Sequence, residues 1–322
     1  MRTLLYNFFR LYGMNFDVVV VGDINVDILA PVSQLPKPEE EVSLKELHLS
    51  PGGNACNSAL ACSRLGLVTG FIGKISKDPL GGYLMGVLEK ESVDIGGLKI
   101  VPGNTGATVA LVYPDSRRSF LSYKGATSTL SLRDVDFDYL RGAKVLFLAG
   151  YYHCASLRQD AVTLFKKAKE KGMFTALDTS FDTKGKWTDV YPLLKYTDVV
   201  FLGSSEREGV TGEKSPIRAG TFLLKHGARI ACVKMGDEGS IIMSERGAEE
   251  VPAFKVNAVD GTGCGDAFNA GFLLGLSEKK SLKQCGLLGN AVGAIVATKY
   301  GVYEALPTRK ELEAFIRERF GR

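Results

Sequence analysis

The sequence predicts an α/β protein, with a mostly parallel central sheet, helices on both of its faces and a small inserted β-lid. Three observations carry this prediction. Short apolar runs alternate with helical segments along most of the chain, the rhythm of strand–helix units in one parallel sheet. The first run, Val18-Val19-Val20-Val21, is continuously apolar, as a strand buried on both faces must be. A polar hairpin then interrupts the rhythm and points to a β-rich appendage.

The first strand spans residues 17–22 and ends in Gly22. Residues 54–65 are small and apolar and stop at Gly66, as a helix does. Strand 68–72 and helix 83–90 follow. Residues 108–113 and 119–123 are β-rich and flank Pro114-Asp115-Ser116-Arg117-Arg118, a hairpin signal. The alternation resumes with strand 144–148, helix 158–171, strands 174–177 and 199–202, helix 217–225 and strand 230–234. A second hairpin, 239–243 with 250–254, precedes helices over 267–276, 282–300 and 310–319. No repeat, low-complexity tract or linker divides the chain. One domain therefore spans residues 14–322, with lid segments at 31–50 and 103–124, after an N-terminal extension at residues 1–13. That extension brackets the run Leu4-Leu5-Tyr6-Asn7-Phe8-Phe9 with Arg2 and Arg10, has no signal-peptide cleavage site and is too short to span a bilayer. It is read as an upstream extension or a misassigned start, with no function.

Composition excludes several classes. Of 322 residues, 45% are hydrophobic and 24% charged, the balance of a soluble globular protein. A net charge of +4 without a concentrated basic face argues against nucleic acid. Six cysteines form no C-x-x-C pair and three histidines are scattered, so neither structural zinc nor a secreted disulfide framework is expected. A reducing cytoplasm fits best. The departure is glycine, 37 residues or about 11% against an average near 7%.

The densest glycine cluster is Asp260-Gly261-Thr262-Gly263-Cys264-Gly265-Asp266, leading into a helix from residue 267. Alternating glycines leave backbone N–H groups unobstructed, and the helix aims its positive end at them, which makes an anion cradle. The pattern is neither G-x-x-x-x-G-K-[ST] nor G-x-G-x-x-G. Asp266 stands at its mouth. Its residue type suits a helix N-cap and equally a base that takes a proton from a substrate hydroxyl.

Residues 260–268 resemble the C-terminal signature of the ribokinase / phosphofructokinase-B (PfkB) family of carbohydrate kinases. Residues 51–66, Pro51-Gly52-Gly53-Asn54-Ala55-Cys56-Asn57-Ser58-Ala59-Leu60-Ala61-Cys62-Ser63-Arg64-Leu65-Gly66, resemble its N-terminal signature. The resemblance implies a ribokinase-like three-layer α/β/α sandwich that transfers phosphate from ATP to a sugar hydroxyl. It makes Asp266 the catalytic base, with capping as an additional role, and Gly263, Cys264 and Gly265 the donors of the anion hole. Asn25 and Asp27 would hold sugar hydroxyls, the alternative being an Asx turn after the first strand. Gly52, Gly53 and Asn57 would face the substrate, while Cys56 and Cys62 pack the helix. Gly236 and Gly239 would belong to the nucleotide loop and Asn290 to the adenine pocket, unless it is a satisfied helix polar group. Asp260 and Thr262 fall near the monovalent-cation site, K+ in many members. Glu206 would organise Mg2+ through water, but Gly203 stands where the family usually carries asparagine.

The implied substrate is a sugar or sugar acid; ribose, fructose and 2-keto-3-deoxygluconate all stay open. Arg117, Arg118, Tyr123 and Lys124 on the lid hairpin would suit an acidic sugar if they reach the site. A nucleoside kinase stacking a base on Phe120 and Tyr123 is one alternative. A non-catalytic sugar sensor keeping Asn25, Asp27 and Asn57 is the other. Unpaired lid edges suggest a homodimer through the lid. Neither nucleic acid nor membrane is an expected partner.

Overall fold

The structure, a computed structural model, describes residues 15–113, 118–182 and 184–320. The extension at residues 1–13, Arg117 and the side chain of Arg118 lie outside the described part. The chain first forms β1 (Val18–Gly22), β2 (Asn25–Pro31), β3 (His48–Gly52), α1 (Asn54–Arg64), β4 (Thr69–Ile72) and β5 (Lys74–Ser76). Next come α2 (Pro79–Lys90), β6 (Lys99–Val101), β7 (Ala107–Val112), β8 (Arg118–Tyr123), β9 (Val145–Ala149), α3 (Ala155–Glu170) and β10 (Phe174–Asp178). The rest is α4 (Tyr191–Leu194), β11 (Val199–Leu202), α5 (Ser204–Thr211), α6 (Pro216–Lys225), β12 (Ile230–Lys234), β13 (Ser240–Ser244) and β14 (Gly247–Val251), then α7 (Cys264–Ser277), α8 (Leu282–Ala297), α9 (Val302–Ala305) and α10 (Arg309–Phe320).

The main sheet has eight strands in the order β14-β13-β12-β11-β10-β9-β1-β4. All neighbours from β4 to β12 pair in parallel; β13 and β14 add an antiparallel edge. The alternation of side chains across a strand explains the layers. Val18 and Val20 enter a core with Leu60, Phe272 and Val292, under α1, α7 and α8. Val19 and Val21 enter a second core with Leu157, Leu164 and Leu223, under α3 and α6. Every residue of β1 is buried, as its unbroken valine run predicts.

A second sheet of four strands, in the order β3-β2-β7-β8, follows directly from β1 through Asp23 and Ile24. Both predicted lid segments contribute to it, but it begins at Asn25, six residues before the predicted boundary at residue 31. Asn25 and Asp27 are turn formers by residue type, yet β2 pairs with β3 on one side and β7 on the other. That pairing overrides their local preference, and the Asx-turn alternative is overturned. Helix starts also come earlier than predicted. Asp78 caps α2 by accepting from the Gly81 N–H at 2.8 Å, with Pro79 in the first turn. Gly263, at φ +73°, lets α7 begin at Cys264 rather than at residue 267.

Candidate active site

Parallel strands deliver their last residues to one edge of the sheet, where open α/β sheets bind ligands. That edge here carries Asp23 after β1, His153 after β9, Asp178 ending β10 and Lys234 ending β12. The first turn of α7 and the start of α1 close over it.

Asp266 is buried at 5% exposure, as the third residue of α7. Its side chain makes no cap bond, which corrects the expected capping role: the residue already lies inside the helix, and Gly263 precedes the first turn. The carboxylate turns instead to α1. Asn54 Nδ2 donates to Oδ1 at 3.2 Å and Asn57 Nδ2 donates to Oδ2 at 3.0 Å. Positions three apart share a helix face, so one face of α1 supplies both donors. Gly53 makes the approach possible: at φ +95°, a Cβ there would lie 2.7 Å from the Asp23 carbonyl oxygen. Burial pushes the Asp266 carboxyl well above the ordinary carboxylate value, and the charges of Asp178 and Asp23 push the same way. The Asn57 bond and the Lys234 charge oppose them.

The glycine loop is shaped from two sides. Asp260 accepts from the Thr262 N–H at 2.9 Å and from the Gly301 N–H at 3.4 Å. A Cβ on Gly263 would overlap the Val302 side chain, whereas one on Gly261 would meet nothing within 4 Å. Of the three donors expected in the anion hole, the Cys264 N–H meets the Gly261 carbonyl at 3.4 Å, a long bond. Beside the loop lies a cavity of about 590 Å³, lined among others by Gly236, Gly239, Gly261, Cys264, Gly265 and Asn290. The three residues expected at the nucleotide therefore share one cavity with the glycine loop. Asn290 Nδ2 donates to the carbonyls of Val251 and Pro252 at 2.9 and 3.1 Å, so its amide nitrogen serves the backbone.

The second sheet adjoins the start of α1, since β3 ends at Gly52. Asn25 and Asp27, two apart on β2, share a face, and Asn25 Nδ2 donates to Asp27 Oδ1 at 2.6 Å. The Asp27 carboxylate occupies the space a side chain at Gly52 would fill. Burial raises the Cys56 thiol, and the charges of Asp23, Asp27 and Asp266 raise it further, so three carboxylates act on this small residue. Asp23 is itself buried, with His153 Nδ1 3.0 Å from its Oδ2 and the Ala55 N–H donating to its Oδ1 at 3.0 Å. Burial alone would raise its carboxyl, but His153, the Ala55 N–H and the charge of Lys124 hold it below the ordinary value. The Lys124 side chain is exposed, and its backbone sits beside Asn25, the two packing against Gly106.

Sequence reasoning missed Asn54, His153 and the group formed by Lys234, Asp178 and Asn269. Asn54 lies inside the quoted N-terminal signature. Lys234 ends a predicted strand and Asp178 directly follows one, both on the ligand-binding edge, a signal that was available. Lys234 Nζ donates to Asp178 Oδ2 at 2.9 Å and to Asn269 Oδ1 at 3.3 Å. Asn269 Nδ2 completes the triangle, donating to Asp178 Oδ2 at 2.6 Å. Burial would strip the Lys234 ammonium of its proton, but Asp178, Glu206 and Asp266 outweigh burial and raise its pKa.

Glu206 folds back on its own helix, its Oε2 accepting from the Gly203 N–H at 2.6 Å. A Cβ at residue 203 would lie 2.7 Å from that oxygen, so glycine there permits the fold-back. Burial and the charge of Asp178 push the Glu206 carboxyl up. No group of three His, Cys, Asp or Glu among the described residues is arranged to hold a metal. A magnesium ion here would take most of its ligands from nucleotide phosphates and water.

A model of the pfkB family carbohydrate kinases matches residues 15–309. The chain is 29% identical over 321 residues to a 5-dehydro-2-deoxygluconokinase of Bacillus anthracis, covering 94% of this chain and 95% of that one. It is 30% identical over 305 residues to an ATP-dependent ribose-1-phosphate kinase of Halopiger xanaduensis, covering 94% and 99%. Among solved structures, a ribokinase from Thermotoga maritima superposes with a TM-score of 0.82 at 26% identity, covering 94% and 99%. No helix among the described residues is long and apolar enough to cross a membrane.

Proposed function

The chain belongs to the pfkB family of carbohydrate kinases, and from that premise we propose that it moves the γ-phosphoryl of ATP onto a hydroxyl of a sugar derivative bearing an acidic group. The observation that carries this reading is Asp266, a buried carboxylate held by Asn54 and Asn57 of α1 and directly following Gly265, which lines the cavity.

Asp266 takes the proton of the acceptor hydroxyl, whose oxygen forms the new bond to phosphorus. The bond from phosphorus to the bridging oxygen breaks, and its electron pair leaves with ADP. Charge developing on the phosphoryl oxygens is met by the N–H groups of Gly263, Cys264 and Gly265 at the positive end of α7. ATP lies in the cavity against Gly236, Gly239 and Asn290; Glu206 would help hold a magnesium ion through water, and that ion would offset part of the phosphate charge. Asn25, Asp27 and Asn57 hold the other hydroxyls. The second sheet acts as a lid that excludes water.

An acidic acceptor is supported by the two curated relatives, named for a gluconate derivative and for ribose 1-phosphate. Lys124 and His153, which both act on Asp23, are the residues proposed to read such a group. Phe120, Leu121 and Tyr123 on β8 are 58%, 66% and 57% exposed, and a second copy of the chain is the proposed occupant of that strand. ATP consumption against neutral sugars, sugar acids, sugar phosphates and nucleosides tests the assignment. Turnover confined to nucleosides would replace it with a nucleoside kinase, and no turnover at all would favour a sugar sensor.

A further inference from the structure

We propose that Lys234 is a catalytic residue of this phosphoryl transfer, its ammonium contacting the terminal phosphates of the nucleotide from the floor of the glycine loop. The proposal rests on the kinase reading above and adds a cation that none of the motifs contains.

Four observations converge on Lys234. Its side chain is only 14% exposed, yet it lines the cavity together with Gly261, Cys264 and Gly265. A Cβ on Gly265 would lie 3.2 Å from Nζ, so the ammonium abuts the backbone of the anion cradle, and glycine there keeps the space open. Asp178 and Asn269 take two of its donors, at 2.9 and 3.3 Å. An ammonium has three donors, and the third remains for a phosphate oxygen. Finally, Asp178, Glu206 and Asp266 all act on this one charge. A polyphosphate approaching three carboxylates needs a compensating cation, and Lys234 is the buried one on its path; Lys255, which also lines the cavity, is exposed. Asp178 and Asn269 therefore act as positioning residues that hold the ammonium toward the loop.

A purely structural lysine, tying β10 to α7, makes a different prediction, and nucleotide binding separates the two. Titration calorimetry with ADP and with adenosine on wild type, Lys234→Met and Lys234→Arg needs no knowledge of the sugar. Lys234→Met should weaken ADP about tenfold to a hundredfold, the size of one charge-assisted hydrogen bond, and leave adenosine within about twofold. Lys234→Arg should recover part of the ADP affinity. With an accepted sugar, kcat of Lys234→Met should fall about 10²-fold or more. Lys234→Met strands the Asp178 carboxylate; if it does not fold, the double variant Asp178→Asn with Lys234→Met is read instead. Equal losses for ADP and adenosine, or ADP affinity unchanged, overturn the proposal. Failure of wild type to bind any nucleotide would instead overturn the kinase reading itself.

Discussion

Asn57 Nδ2 donates a 3.0 Å hydrogen bond to Asp266 Oδ2 across 209 positions of the chain. The two residues belong to the two motifs that first suggested a kinase, and here they are one device. Asn54 holds the second oxygen, so the plane of the carboxylate is set by α1 while its backbone is set by α7. The Asn57 Oδ1 is buried without a protein partner, which leaves an acceptor beside the Asp266 carboxylate.

Replacing Asp266 with asparagine removes a proton acceptor but keeps the shape. With an accepted sugar, kcat should fall about 10²- to 10⁴-fold. Stability should move the other way. A carboxyl whose folded pKa is raised contributes stability below its unfolded pKa and loses that contribution as pH rises through the folded value. Asp266→Asn should therefore match wild type in Tm near pH 4 and exceed it at pH 8. A lower Tm at both pH values would contradict the burial and like-charge account.

The pH profile of kcat/KM should rise along a limb belonging to Asp266, since only the ionised carboxylate accepts a proton. Burial and Asp178 place that limb above the ordinary carboxylate range. Asn57 bonds to the ionised form, so Asn57→Ala should shift the limb upward. A hydrogen bond to a charged group, about 1.5–3 kcal/mol, corresponds to about one to two pH units. An unmoved limb in Asn57→Ala would show that another group controls it.

The parts of this site that were legible in the sequence are those whose local pattern and tertiary role agree. The valine run of β1 and the glycines at 261, 263 and 265 needed no partner to be recognised. Asn25 and Asp27 hid the start of the second sheet because residues that favour turns were drawn into a strand by the backbone of β7, 81 positions on at the Asp27↔Thr108 pair. Lys234 and Asp178 were invisible as a pair because only the adjacency of their strands through β11 brings them together. Glu206 stands where the family resemblance expects a glutamate, but its helix-bound geometry depends on Gly203, which the resemblance registers only as a departure.

Gly263→Ala should damage both fold and chemistry. The residue holds φ +73°, which costs a side-chain-bearing residue about 1–2 kcal/mol, and its Cβ would overlap Val302. Val302→Ala in the same chain should return the steric part of the loss but not the conformational part. A double-mutant cycle on Tm would then show coupling between the two sites. Strict additivity would mean that Val302 does not press on the loop.

Arg64 tests whether the site can be weakened from outside. It ends α1, the helix that opens with Asn54 and Asn57, and donates to both Glu91 oxygens at 2.9 Å. It also donates to the carbonyls of Tyr303 and Leu306 at 2.7 and 2.9 Å, while the Tyr303 hydroxyl donates to Glu91 Oε1 at 2.7 Å. This clamp fixes the segment whose Val302 presses on Gly263. Its side chains are 17% and 15% exposed, so removing one partner leaves a largely buried charge. Arg64→Met should cost about 3 kcal/mol of stability. The folded fraction should keep kcat within about tenfold of wild type, because no group that touches substrate has changed. Asp266→Asn and Arg64→Met thus form opposite cases, one losing turnover with stability kept and the other losing stability with turnover kept. Thermal denaturation measured beside single-turnover rates distinguishes them, and a kcat loss in Arg64→Met as deep as that of Asp266→Asn would mean the clamp sets the geometry of the base itself.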